Sequence, residues 1–253
     1  MELIHLSGEL LALLFVVAVV AGCLDTLVGG GGLICLPALV MVGLPPLYAL
    51  GTNKLQGTMG TATASFMMLK HGKVTWSDAR VLMLWAFAGS ALGSIVVQFL
   101  DVTQLRVAIP LVLVVVAGYF LLSGWLAEHL PPVRLAPGYY QRTVVPAIGF
   151  YDGMFGPGTG SFFSMSAVAL RGLPVLAATA LAKTLNFATN FASLLVFVVS
   201  GHFVWQAGLV MMAGQMIGAF IGSHILFRIN PLLLKALIVL ICLAMLGRYF
   251  ITG

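Results

Sequence analysis

The segment DTLVGGGGLICLPALV, Asp25 to Val40, sets four consecutive glycines, Gly29 to Gly32, inside a run apolar enough to lie in a membrane. Each glycine in a helix interior costs about 1 kcal/mol relative to alanine, so four in succession break the helix. An aspartate, Asp25, stands just before the break. A second segment, GFYDGMFGPGTGSFF, Gly149 to Phe163, echoes the first. Asp25 aligns with Asp152, Gly29 with Gly156 and Gly31 with Gly158, at a shift of 127 residues. Two residues are then inserted, and Gly43-Leu44-Pro45 aligns with Gly172-Leu173-Pro174 at a shift of 129. That register holds for Lys54 and Lys183, Trp76 and Trp205, Gly89 and Gly218, and Gly93 and Gly222. Self-similarity at a fixed spacing is the signature of an internal repeat. The first repeat covers 1–128 and the second 141–253, with the polar, proline-rich stretch 129–140 as linker.

Composition sets the class. Of 253 residues, 61% are hydrophobic and 8% are charged, against about 25% charged in soluble domains. Apolar stretches recur at 10–28, 33–42, 47–69, 81–99 and 107–126, then at 143–155, 161–170, 174–200, 206–227 and 232–251. The pieces beside the glycines are shorter than the roughly 20 residues that a spanning helix needs. They are expected to be broken or re-entrant helices. The expected fold is an all-α polytopic membrane protein of two inverted-topology repeats, with about 8–10 transmembrane segments. Glu2 and Glu9, with no Lys or Arg in the first ten residues, do not make the basic start of a cleaved signal peptide. The net charge of +5 is assigned to membrane-protein loops rather than to nucleic-acid binding. Cys23, Cys35 and Cys242 lie in apolar segments without metal-ligand spacing and read as free thiols.

Loop charge decides how the repeats are oriented. The loop after the first lysine segment carries Lys70, Lys73 and Arg80, whereas its counterpart, SGHFVWQAG, carries no Lys or Arg. The next loop reverses this, with Arg106 in the first half against Arg228 and Lys235 in the second. With 70–80 cytoplasmic, an inverted arrangement puts eight Lys or Arg residues inside and two outside, while a same-way arrangement gives six and four. The positive-inside rule favours the inverted one. The 70–80 loop, the 127–142 linker and the 228–235 loop are then cytoplasmic, and both termini are outside.

Inverted repeats broken at matching positions point to a secondary transporter. A broken helix exposes unpaired N–H groups and the positive end of a helix dipole, which together attract an anion. Lys54 and Lys183 fall inside apolar segments, where a charge costs at least about 2.5 kcal/mol and marks function. Lys54, Gly57, Thr58 and Thr61 share a helical face, as do Lys183, Asn186 and Asn190. Thr52, Asn53 and Gln56 lie beside the first group and Thr184 beside the second. Ammonium, amide and backbone N–H donors suit an oxyanion. A buried ion pair between each lysine and Asp25 or Asp152, in its own half or the other, is the structural alternative. The aspartates are also open to roles as partners of the helix breaks or as coupling protonation sites. Gly89, Gly93, Gly218 and Gly222 have the spacing of helix-packing glycines. Trp76 and Trp205 read as interfacial anchors, and the five histidines as interfacial rather than metal-binding.

The motifs DTLVGGGGLICLPAL, LGTNKLQGTMGTATAS, GFYDGMFGPGTGSFF and AKTLNFATN resemble the signatures of the TauE/SafE sulfite-exporter family, also called the toluene-sulfonate uptake permease family. Within it the chain is most similar to small bacterial inner-membrane members described as probable transporters. The resemblance implies movement of sulfite, a sulfonate such as sulfoacetate, thiosulfate or a related sulfur-containing anion, in either direction. It implies a path lined by Gly29, Gly30, Gly31, Gly32, Asn53, Lys54, Gln56, Asp152, Gly156, Gly158, Lys183, Asn186 and Asn190. Thr159, inside GPGTG, joins that set. The second half has GPGTG for GGGG and LAKTLN for TNKLQ, so the site is asymmetric.

The reading is therefore a transporter working by alternating access, driven by a proton gradient or the membrane potential. It has no cofactor, and its partners are a small anion, the lipid bilayer and, as a conjecture, a second copy in a homodimer. A passive anion channel and a carrier of a non-sulfur organic anion are the alternatives. No H-E-x-x-H, G-x-S-x-G or Walker A motif supports an enzyme, and Ser161 with His202 or His224 only imitates a serine dyad. A chemically inert subunit of a larger complex would not need polar residues at matching buried positions of both halves.

Overall fold

The computed structural model describes residues 6–129, 134–225, 236, 239–245 and 247. The elements are α1 (Gly8–Val28), α2 (Gly32–Met41), α3 (Pro46–Lys70), α4 (Trp76–Val97), α5 (Val102–His129), α6 (Pro137–Met154), α7 (Thr159–Arg171), α8 (Val175–Ser200) and α9 (Trp205–Ile225). Residues 239–245 are helical as well, and no strand occurs among the described residues. The expected 228–235 loop, Arg248 and both chain ends lie outside the described residues, as does most of the 232–251 stretch.

Local chemistry sets the helix ends. The side chain of Ser7 accepts from Leu10 N–H to open α1, and Thr75 accepts from Asp78 N–H to open α4. α4 thus starts at Trp76 rather than at 81. α6 starts at Pro137 rather than at 143, because a proline at the first helical position has its φ already set. Tyr140 is then fully buried, with its hydroxyl 2.9 Å from Ser166 Oγ. The end of the 129–140 linker is therefore helix. Trp76 and Trp205, the first residues of α4 and α9, are both exposed.

Among the described residues, five helices are long and apolar enough to cross a membrane: α1, α4, α5 up to Leu122, α8 and α9. α3, with 25 residues, rises about 37 Å, so it is long enough, but polar residues fill its middle. α2 and α7, with 10 and 13 residues, reach only about 15–20 Å. They are the far sides of the two glycine breaks.

The packing exchanges the halves. α1 lies along α9 and α4 along α6, α3 meets α9 and α4 meets α8, and α3 crosses α8 at the centre. Glycines let these backbones touch. Gly89 and Gly93 of α4 face the carbonyls of Pro146 and Phe150 on α6, and Gly218 and Gly222 of α9 face those of Val19 and Cys23 on α1. α3 and α8 run antiparallel. Val204, just beyond α8, donates its N–H to Thr52 Oγ1 near the start of α3, while Ala177 and Leu181, early in α8, line one cavity with Lys73 and Val74, just beyond the end of α3.

The molecule is polar inside and apolar outside. Leu84, Phe99, Leu111 and Val199 are exposed, whereas Asn53, Lys54, Gln56, Lys183, Asn186 and Asn190 are buried. So much exposed apolar surface suits a chain whose solvent is lipid.

Candidate functional site

The site grows from the two breaks. α1 ends where Gly29 turns left-handed, at φ 78°, and its N–H bonds the Asp25 carbonyl at 2.7 Å. The carboxylate of Asp25 then reaches across the break, and Oδ1 accepts from Gly31 N–H at 3.0 Å. In the second break Gly156 and Gly158 are left-handed, at φ 97° and 81°. Thr159 opens α7 and donates its hydroxyl to Asp152 Oδ1 at 2.7 Å. Each aspartate thus sits at the helix that restarts after it, where a negative charge is favoured.

The two breaks touch each other. A methyl at Gly29 would lie 2.6 Å from Ser161 N, and one at Gly32 would lie 3.1 Å from Pro157 Cα. Ser161 Oγ donates to the Val28 carbonyl across this contact.

The lysines pair between halves. Lys54 Nζ lies 3.0 Å from Asp152 Oδ1 and also donates to the Asp152 carbonyl. Lys183 Nζ lies 3.7 Å from Asp25 Oδ2 and also donates to the Asp25 carbonyl. The first pair is wholly buried, with both side chains 1% exposed, whereas Asp25 in the second is 17% exposed. Sequence left the partner of each lysine open; the geometry gives each the aspartate of the other half.

Between the pairs, where α3 crosses α8, lies a small polar cavity of about 30 Å³. That exceeds the 10–15 Å³ or so that a single water requires. Its wall contains Asp25, Gly31, Gly32, Asn53, Gln56, Asp152, Gly156, Asn186 and Asn190, all singled out by sequence. Lys54 and Lys183 stand behind this wall, each held by its aspartate. Gly29, Gly30, Gly158 and Thr159 are also off the wall. Gly29 packs break against break, Gly158 faces Val116 and Phe120 of α5, and Thr159 supports Asp152.

Gly57 and Thr61, which the sequence sets on one helical face with Lys54, are also in the wall, and Gln215, which the sequence reading did not single out, completes it. At the shift of 129, Gly57 and Thr61 match Asn186 and Asn190. Gln215 matches Ala86, so a search for repeated polar positions passes over it. An amide in the middle of the apolar stretch 206–227 was its available signal. Gly22 and Gly60 make room for it; a methyl at either would lie within 2.8 Å of its Oε1.

Amides, backbone N–H groups and paired charges around so small a space can hold a small polar ion. Comparison with known proteins agrees with a transport role. Residues 14–249 match the family model described as sulfite exporter TauE/SafE. The chain is 40% identical over 240 residues to a probable membrane transporter protein of Haemophilus influenzae, covering 95% of this chain and 94% of that one. It is 40% identical to the probable membrane transporter protein ORF9 of a Sinorhizobium species, covering 96% and 93%. It is 37% identical to the probable membrane transporter protein YfcA of Escherichia coli K12, covering 98% and 92%. No solved structure matches the chain.

Proposed function

The chain belongs to the TauE/SafE sulfite exporter family of membrane transporters, and from that premise we propose that it moves a small sulfur-containing anion across the bacterial inner membrane by alternating access. The anion binds between the two glycine breaks. The observation that carries this reading is the polar cavity at the crossing of α3 and α8, lined by both breaks and flanked by two ion pairs that each join the halves. Such an arrangement couples opening on one side to closure on the other. The ammonium groups of Lys54 and Lys183 balance their aspartates, so the anion is held chiefly by amides and by the N-terminus of α2. A proton gradient or the membrane potential drives the cycle.

We further propose that the halves are inverted repeats, with 70–80 and the linker on the cytoplasmic side. Two matching loops lie at opposite ends of α3, which supports this. The α8–α9 connection abuts its first turns, while the α3–α4 connection follows its last. Single cysteines at Gly72 and Gly201, in a variant lacking the native three, are expected to label from opposite sides of the membrane. Labelling from one side overturns the inversion.

Purified protein in proteoliposomes is expected to give saturable flux of one labelled anion among sulfite, sulfoacetate and thiosulfate, accelerated by a pH gradient or a potential. Asn186→Ala removes one hydrogen-bonding group from the wall. A hydrogen bond to a charged group contributes about 1.5–3 kcal/mol, so half-saturation rises roughly 10- to 150-fold. Unsaturable flux would make the protein a channel.

A further inference from the structure

We infer that the cavity beside the start of α8 is the anion's door on the side carrying 70–80: a basic vestibule, separated from the central cavity by an apolar plug around Leu185. The inference rests on the transporter reading above and adds the route by which the anion reaches its site.

The match between the halves brings the door out. At the shift of 129, Tyr48 matches Ala177, Thr52 matches Leu181 and Lys73 matches His202. At one end of the molecule these positions are packed against their neighbours. The rings of Tyr48 and His202 meet edge-on at 5.4 Å, Thr52 Oγ1 accepts from Val204 N–H, and a methyl on Gly51 would collide with the His202 carbonyl. At the other end Ala177, Leu181 and Lys73 border a cavity of about 460 Å³. Alanine stands there where the packed end has tyrosine. The volume lies within the roughly 300–1,000 Å³ of small-molecule sites.

The vestibule suits an anion. Arg171, the last residue of α7, and Lys73 line it against one carboxylate, Asp78, which accepts from the Thr75 hydroxyl at 2.6 Å. The guanidinium of Arg171 lies 5.6 Å from the centre of the Tyr140 ring, and among the described residues no carboxylate forms an ion pair with it. Positive charge in a cleft with apolar walls raises the local concentration of anions.

The vestibule also comes close to the central site. Leu181 lines it, and Asn186, five residues further along α8, lines the central cavity, a rise of about 7–8 Å. Leu181, Ala182 and Leu185 span that interval and belong to one buried apolar cluster with Ala86, Val145 and Phe163. Leu185 matches Gln56, so leucine stands in the interval where the other half sets an amide on the wall of the central cavity. Apolar packing between two cavities blocks an ion until the packing parts.

Single cysteines in the variant lacking the native three test the route. A small, membrane-impermeant, anionic thiosulfonate reagent is applied with no other sulfur anion present, and labelling is read by mass. Ala177→Cys is expected to label from the side that labels Gly72→Cys, and Thr52→Cys to resist labelling from the opposite side. Thr61→Cys, in the wall of the central cavity, is expected to label slowly from the side that labels Gly72→Cys. Adding Leu185→Ala is expected to speed that labelling at least roughly tenfold, because the truncation weakens the packed plug more than the parted one. In proteoliposomes Arg171→Gln is expected to raise half-saturation for labelled sulfite on that side at least roughly threefold and to weaken its dependence on salt, while Arg171→Lys keeps both.

Ala177→Cys that does not label from that side, or Leu185→Ala without effect on Thr61→Cys, overturns the route. Unchanged half-saturation in Arg171→Gln overturns the vestibule's part in collecting the anion. Should Leu185→Ala fail to fold, Thr52→Cys that labels as fast from its side as Ala177→Cys does from the other overturns the inference instead. Wild type that moves no sulfur anion overturns the function proposed above, and the labelling pattern, which needs no flux, separates that failure from this one.

Discussion

Asp152→Ala is expected to be the most damaging single substitution in the protein. It leaves the Lys54 ammonium, 1% exposed, without its counter-charge. Removing one partner of a buried ion pair costs about 3–5 kcal/mol, against a total stability of about 5–15 kcal/mol for a typical folded domain. Low yield and a large fall in melting temperature in detergent would register this. Asp25→Ala is expected to cost less, because its pair with Lys183 is longer, at 3.7 Å, and Asp25 is partly exposed. Replacing both members of the first pair by apolar residues, Lys54→Met with Asp152→Leu, is expected to recover most of the stability, since the desolvation penalty of two charges disappears with the charges. Flux is not expected to return. If the double variant transports normally, the pair is scaffolding alone, and the mechanism must be sought elsewhere in the cavity.

The pair also marks where sequence reading stops. Lys54, Lys183, Asp25 and Asp152 are conspicuous in the sequence because ionisable groups in apolar segments are expensive. Nothing in the sequence says which carboxylate each ammonium meets, because that follows from how α3 and α8 cross. The glycine breaks were legible for the same kind of reason: four glycines cannot continue a helix, so the ends of α1 and α2 fell close to where they were expected. Helix starts were harder. Trp76 and Pro137 begin α4 and α6 inside stretches too polar to read as spans, because a Thr75 cap and a proline at the first position outweigh local polarity. Gln215 was hidden for a different reason. The repeat directs attention to residues present twice, and Gln215 is present once, opposite Ala86.

Gly29→Ala is expected to separate the packing of the breaks from their backbone conformation. Gly29 has φ 78° and Gly43 has φ 89°, so alanine at either position pays the same left-handed penalty, about 1–2 kcal/mol. Around Gly43 nothing lies within 4 Å, whereas a methyl at Gly29 would meet Ser161 N at 2.6 Å and Gly160 C at 2.7 Å. Those atoms are backbone of the other break and cannot swing aside as a side chain could. Overpacking of this kind adds about 1–3 kcal/mol. Gly43→Ala is therefore expected to lose about 1–2 kcal/mol and to keep its flux. Gly29→Ala is expected to lose about 2–5 kcal/mol in the arrangement seen here, with the two breaks in contact. If the cycle requires the breaks to part and meet again, that cost falls on one state only and shifts the population away from it. Flux then falls much further than the melting temperature does. Equal losses in the two variants would mean that the contact between the breaks holds no free energy of its own, and that alternating access turns on some other surface.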